Sequence, residues 1–243
     1  MSMKKASQAQ APWDITADMF LSEREVTELL AFIRDRQTAT SGDARTRATV
    51  DRLIIEILLF SGLRNSELCH LRVRDALEGK ALSAIRVLGT PKQDRWVYIP
   101  ANLWCAIEQY IRETRGGGAA DDANLDEQSQ TLILNERGRP YDRTALYRRV
   151  VRILTEAGLK DRASVQLLRH TYGFLAYKRT GGNLLFVQQQ LGHAHPMVTA
   201  IYAQFVEFSY SHLANHVGGE VHAEPLSAPK RLTKPTRDKG KSA

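Results

Sequence analysis

Cysteine is nearly missing from this chain. Cys69 and Cys105 are the two among 243 residues, and they form neither a C-x-x-C pair nor a zinc-ligand spacing. A disulfide scaffold and a zinc module are therefore excluded, and a reducing cytoplasm suits the composition. Aromatic residues are also sparse, at 7%, which argues against a platform that stacks single-stranded bases. The longest apolar stretch, Leu53 to Phe60, is broken by Glu56 and is too short to span a bilayer. Met1 to Trp13 is polar, with two lysines and no apolar run, so it does not read as a signal peptide. A phosphate-cradling G-x-x-x-x-G-K-[ST] loop is lacking too. Gly116-Gly117-Gly118 has neither the lysine nor the following helix that such a loop needs.

What is present is ordinary bulk and an excess of positive charge. Hydrophobic residues at 43% and charged residues at 25% fit a globular domain with a real core. The net charge of +7 suits a polyanion such as nucleic acid. Six of the bases, against Asp238 alone, crowd into residues 230–241, so most of that net charge belongs to the tail. The placement of particular arginines is thus more informative than the total.

The apolar periodicity predicts a mostly helical fold with a small antiparallel β-sheet. Ser22-Glu23-Arg24-Glu25 reads as a capping box, followed by Leu29, Leu30 and Ile33 at helical spacing. A second helix is expected from about 44 to 61, ended by Gly62. Ile85 to Leu88 and Trp96 to Ile99 are β-prone and read as a hairpin with its turn near Lys92. Helices are expected over 101–114, 140–159, 165–179, 184–191 and 196–205, with a further one reaching His216. Gly116 to Gln130 reads as a loop and Leu132 to Leu134 as a short strand. The expected layout is a loose N-terminus over 1–17, one domain over 18–217 and a disordered basic tail over 218–243.

Three segments carry chemistry. In Ser61-Gly62-Leu63-Arg64-Asn65-Ser66-Glu67-Leu68, an arginine stands at a helix junction with an acid three residues on. The positive end of the next helix and a guanidinium there would both suit a phosphate, although for this segment alone a plain Arg64–Glu67 helix pair is the favoured reading. In Val165-Gln166-Leu167-Leu168-Arg169-His170-Thr171-Tyr172, Arg169 sits in an apolar helix, where a charge must be paired or functional. In Leu191-Gly192-His193-Ala194-His195-Pro196, a histidine opens a turn, and Tyr202 follows nine residues after His193. His193 and His195 lack a third ligand at metal spacing.

In this order and spacing, the three segments resemble the signature of the tyrosine recombinase, or phage integrase, family over roughly Phe20 to Leu213. The resemblance implies the catalytic-domain fold of that family. It makes Arg64 and Arg169 the two catalytic arginines, Glu67 the supporting acid, His193 the histidine-or-tryptophan position and Tyr202 the nucleophile. Lys92 falls in the hairpin turn where the family keeps a catalytic lysine, though not in the usual Gly-Lys-Gly setting. Gln166 stands where the family writes the histidine of His-x-x-Arg. The family's N-terminal core-binding domain is expected to be absent, as in the short fimbrial DNA invertases.

These residue types suit phosphodiester chemistry. Attack adds charge to the nonbridging oxygens, which two permanently ionised arginines can clamp. A phenol, with an ordinary pKa near ~10, can attack and later leave, the more readily with guanidinium groups beside it. The implied activity is site-specific DNA strand exchange through a 3′-phosphotyrosyl bond, whether integration, excision, inversion or resolution in a mobile element. Lys92 would protonate the leaving 5′-oxygen, and the covalent bond would conserve the energy, so no metal or other cofactor is expected. The implied partner is double-stranded DNA with an inverted-repeat site, bound by a homo-oligomer that forms a tetrameric synapse. The implied setting is cytoplasmic and nucleoid-associated, with no membrane. Gln166 cannot shuttle a proton, and this leaves an alternative: a weak or inactive DNA-binding regulator that keeps the fold.

Overall fold

The computed structural model describes residues 15–89, 94–114 and 131–206. Helix α1, Glu23–Thr38, starts on the expected capping box: Ser22 Oγ accepts from the Glu25 amide, and the Glu25 carboxylate accepts from the Ser22 amide. Helix α2, Gly42–Ser61, is the centre of the core and packs on helices before and after it. Ile54, Ile55, Ile57, Leu58 and Leu59 are all buried there, far more than one apolar face. Its two buried acids are paired rather than bare. Asp51 meets Arg149 at 2.5 Å and Glu56 meets Arg52 at 2.9 Å, as burial of charge requires.

Gly62 ends α2 in the left-handed conformation, φ +64°. A Cβ at this position would lie 2.5 Å from the Tyr172 ring and 2.7 Å from Leu191, so the turn needs glycine on two counts. Short helices α3, Asn65–Cys69, and α4, Val73–Leu77, follow. Strands β1, Ala84–Val87, and β2, Arg95–Tyr98, pair antiparallel with Arg86 opposite Trp96. The expected hairpin is therefore present, one residue earlier on each strand. Helix α5, Ala101–Thr114, matches its expected span.

Two expectations are corrected. Leu132 to Leu134 is not a strand. Thr131 and Leu134 make isolated bridges to Arg72 and Pro140, and Leu132 donates to the Leu71 carbonyl, so no ladder forms. Helix α6 is Arg143–Glu156, not 140–159: Asp142 caps it by accepting from the Ala145 amide at 2.7 Å, while Pro140 is used in the bridge. Helices α7, Val165–Arg179, and α8, Leu184–Leu191, span the expected residues. The last expected helix divides into α9, Pro196–Ala200, and a 3₁₀ turn, Ile201–Phe205, a tightening common at helix ends. The hairpin turn with Lys92, the loop over 116–130, the helix to His216 and both termini lie outside the described residues.

Candidate active site

The site forms where three chain turns meet. The first is the α2–α3 junction. Arg64 precedes α3 with extended backbone, and the Glu67 carboxylate accepts from its amide at 2.7 Å and from its Nη1 at 3.0 Å. The guanidinium then crosses to the third turn, donating from Nη2 to the Gly192 carbonyl at 3.1 Å. Glu67 is also gripped by Arg95 of β2, whose Nη1 and Nη2 reach its two oxygens at 2.8 and 3.0 Å. Burial pushes the Glu67 carboxyl up, but the hydrogen bonds and charge of Arg95 outweigh it, and the group stays below its usual range.

Arg169 of α7 is 5% exposed. Its guanidinium donates to the Gly62 carbonyl and, at 2.7 Å, to the Leu191 carbonyl. Arg64 and Arg169 are thus fixed on the consecutive carbonyls of Gly192 and Leu191. Burial, with the Arg64 charge second, lowers the Arg169 pKa to about 10, which leaves it cationic at neutral pH. Gly192, φ +63°, closes α8. A Cβ there would sit 2.9 Å from the Arg95 guanidinium carbon, so glycine at this turn is what lets Arg95 lie against it. Arg95 Nε also donates to the Gln190 carbonyl at 3.2 Å. One side chain thereby ties the hairpin to both the Arg64 and the His193 turns.

His193 follows, with Nδ1 2.9 Å from Thr199 Oγ1. Burial first, then the charges of Arg169 and Arg64, hold its pKa down at about 4, so the imidazole is neutral at pH 7. Tyr202 lies in the final 3₁₀ turn and is 1% exposed. Its ring rests on Gly173 of α7, where a Cβ would come within 2.2 Å of Cζ. Its hydroxyl is 3.1 Å from His170 Nδ1. Burial raises the Tyr202 pKa to about 12, with Arg169 opposing. Gln166, one turn before His170 on α7, places Nε2 3.1 Å from His170 Nε2.

A cleft of about 1060 Å³ opens over this junction, lined in part by Arg64, Glu67, Arg95, Gly192 and His193. Arg169, His170 and Tyr202 lie outside that lining. The site thus has an open half, formed by Arg64 and His193, and a buried half, formed by Arg169 and Tyr202. Of the residues singled out in the sequence, Arg64, Glu67, Gln166, Arg169, His193 and Tyr202 gather here; Lys92 lies outside the described residues. Sequence reasoning missed Arg95, His170 and Thr199. Arg95 reads as an ordinary strand arginine, and its bond to Glu67 spans 28 positions. His170 was visible beside Arg169 in the same segment, and its i, i+4 relation to Gln166 was the available signal.

The chain thus combines an antiparallel hairpin with a helical core and brings two arginines and a tyrosine to one junction. Residues 19–207 match the Phage integrase family, and the chain belongs to that family. It is 29% identical over 187 residues to Tyrosine recombinase XerH of Campylobacter jejuni, covering 76% of this chain and 48% of the relative. It is 30% identical over 183 residues to Tyrosine recombinase XerC of Halalkalibacterium halodurans, covering 75% and 56%. The chain therefore spans about half the length of these curated relatives. Among solved structures it shares its fold with the XerH site-specific recombinase bound to palindromic difH substrate in a post-cleavage complex, with a TM-score of 0.60, 23% identity, and coverage of 84% of this chain and 54% of that one. No described helix is long and apolar enough to cross a membrane.

Proposed function

We propose that this chain cuts and rejoins duplex DNA at a specific site through a covalent bond between Tyr202 and the 3′-phosphate. The observation that carries this reading is the anchoring of Arg64 and Arg169 on adjacent carbonyls beside Tyr202. A phosphodiester entering the cleft meets the half-exposed Arg64 first and displaces its weak carbonyl contact, gaining charge-assisted bonds. Neutral His193 donates to a nonbridging oxygen. Glu67 and Arg95 keep Arg64 from turning away, and Arg169 holds the opposite side of the growing charge. Tyr202 Oη bonds to phosphorus as the bond to the 5′-oxygen breaks, and Lys92 supplies the proton to that oxygen. Rejoining reverses each step.

The buried phenol, with its pKa near 12, is a resting nucleophile. The substrate fits the family's relatives: XerH is seen on a palindromic site, and an inverted-repeat duplex bound by several copies of this chain, up to a tetrameric synapse, is the corresponding partner. The catalytic unit is residues 18–217, and the working location is the cytoplasm, on the nucleoid.

The test uses a pool of duplexes randomised on both sides of a fixed nick, so that the short cut strand diffuses away and traps the adduct. The expected result is a detergent-stable protein–DNA adduct with the wild type and none with Tyr202→Phe. DNA binding without an adduct would overturn the reading in favour of a regulator.

A further inference from the structure

We infer that His170 is the group that takes the proton from the Tyr202 hydroxyl, with Gln166 holding its ring. This rests on the strand-exchange reading above and assigns a catalytic residue that the sequence motifs leave vacant. Gln166 occupies the position where the family's proton-carrying histidine belongs, and an amide cannot carry a proton. The phenol nonetheless has an imidazole against it, with His170 Nδ1 3.1 Å from Oη, inside the reach required of a general base. Gln166 lies at the other nitrogen, 3.1 Å from Nε2. The three side chains form one line: amide, imidazole, phenol.

The amide is well chosen for that place. With its nitrogen toward Nε2 the amide donates there, and Nδ1 then carries the hydrogen and cannot accept. Turned over, it presents Oε1 to Nε2–H; this frees Nδ1 to accept from the neutral phenol, and the amide still accepts from Nε2–H once the ring is an imidazolium. A glutamine thus supports the imidazole both before and after the transfer. Three titratable or charged groups face His170: Arg169 on its own helix, Tyr202 on the 3₁₀ turn and His193 on the turn after α8. Burial, with the Arg169 charge second, keeps His170 below its ordinary pKa, so it is unprotonated and ready to accept at neutral pH.

The step balances. Tyr202 Oη forms its bond to phosphorus while the bond to the 5′-oxygen breaks. The phenolic proton moves to His170 Nδ1 and leaves an imidazolium, and the 5′-oxygen leaves as a hydroxyl with the proton from Lys92. In rejoining, the imidazolium returns its proton to the departing phenolate.

The experiment measures single-turnover adduct formation on one duplex selected from the randomised nicked pool, with affinity for that duplex and thermal melting measured alongside. His170→Gln keeps a hydrogen bond to the phenol but cannot take a proton. It is expected to slow adduct formation by about a hundredfold, with affinity and melting held near wild type, and to lose the fall in rate that the wild type shows on acidification. His170→Ala is expected to recover part of its rate when imidazole is added, an effect no purely structural role would give. A His170→Gln enzyme with the wild-type rate and pH profile, or a His170→Ala enzyme unresponsive to imidazole, overturns the inference and leaves the strand-exchange reading standing. A wild type that forms no adduct with any member of the pool overturns both.

Discussion

Arg169 holds two orphan carbonyls as well as a charge. The Gly62 and Leu191 carbonyls end α2 and α8, and both accept from this one guanidinium. A helix end left buried without a donor is unfavourable. Arg169→Ala is therefore expected to reduce folding stability by about 3 kcal/mol, from unpaired carbonyls and a cavity together, and to abolish adduct formation. Urea denaturation measures the first effect, and an unchanged urea midpoint would contradict it. His193 is held in its neutral form. Its folded pKa of about 4 lies below the ordinary value of 6.5, so between those values the unfolded chain binds a proton that the folded chain excludes. The His193 contribution to stability is then complete above about pH 6.5 and is lost as pH falls toward 4. Comparing wild type with His193→Gln across that interval isolates it: the wild type should lose stability with acid more steeply than the variant.

At the scale of elements, α7 is the spine of the site. It carries Gln166 and, one turn on, Arg169 and His170, and it offers Gly173 as the seat for Tyr202. That glycine is helical, so alanine would favour the helix itself while filling the space of the phenol ring. Gly173→Ala is expected to displace Tyr202 and bring its pKa from about 12 down toward the ordinary ~10. Ultraviolet titration of this variant, with and without Tyr202→Phe, reads that single group. A Tyr202 titration that stays near the wild-type value would show that the ring is not held by this seat. Strand β2 matters through Arg95, which joins the hairpin to Glu67 and to the Gln190 carbonyl. The hairpin is thereby tied to the acid that also holds Arg64.

Across the whole molecule, local signals were legible and long-range ones were not. The Ser22 capping box, Gly62 as a helix stop and the exact span of α7 follow from propensity and capping chemistry within a few residues. Arg64, Arg169 and Tyr202 were legible as candidates because their segments resemble a family pattern, not because spacing alone implies convergence. What escaped depended on tertiary partners. Leu132 to Leu134 has the composition of a strand but makes only isolated bridges in place of a ladder. Arg95 acquires its role only where the hairpin meets α3 and the α8 turn. The seat of Tyr202 on Gly173 was likewise invisible, since it depends on α7 passing beneath a 3₁₀ turn 32 positions away from His170.

The proposal that buried Tyr202 attacks a phosphate held at the open cleft has one direct test. Adduct formed on the selected nicked duplex is digested with protease and nuclease, and the modified peptide is sequenced by mass spectrometry. The account predicts a nucleotide on the peptide containing Tyr202, joined through its phenolic oxygen. A nucleotide attached to any other residue would contradict it.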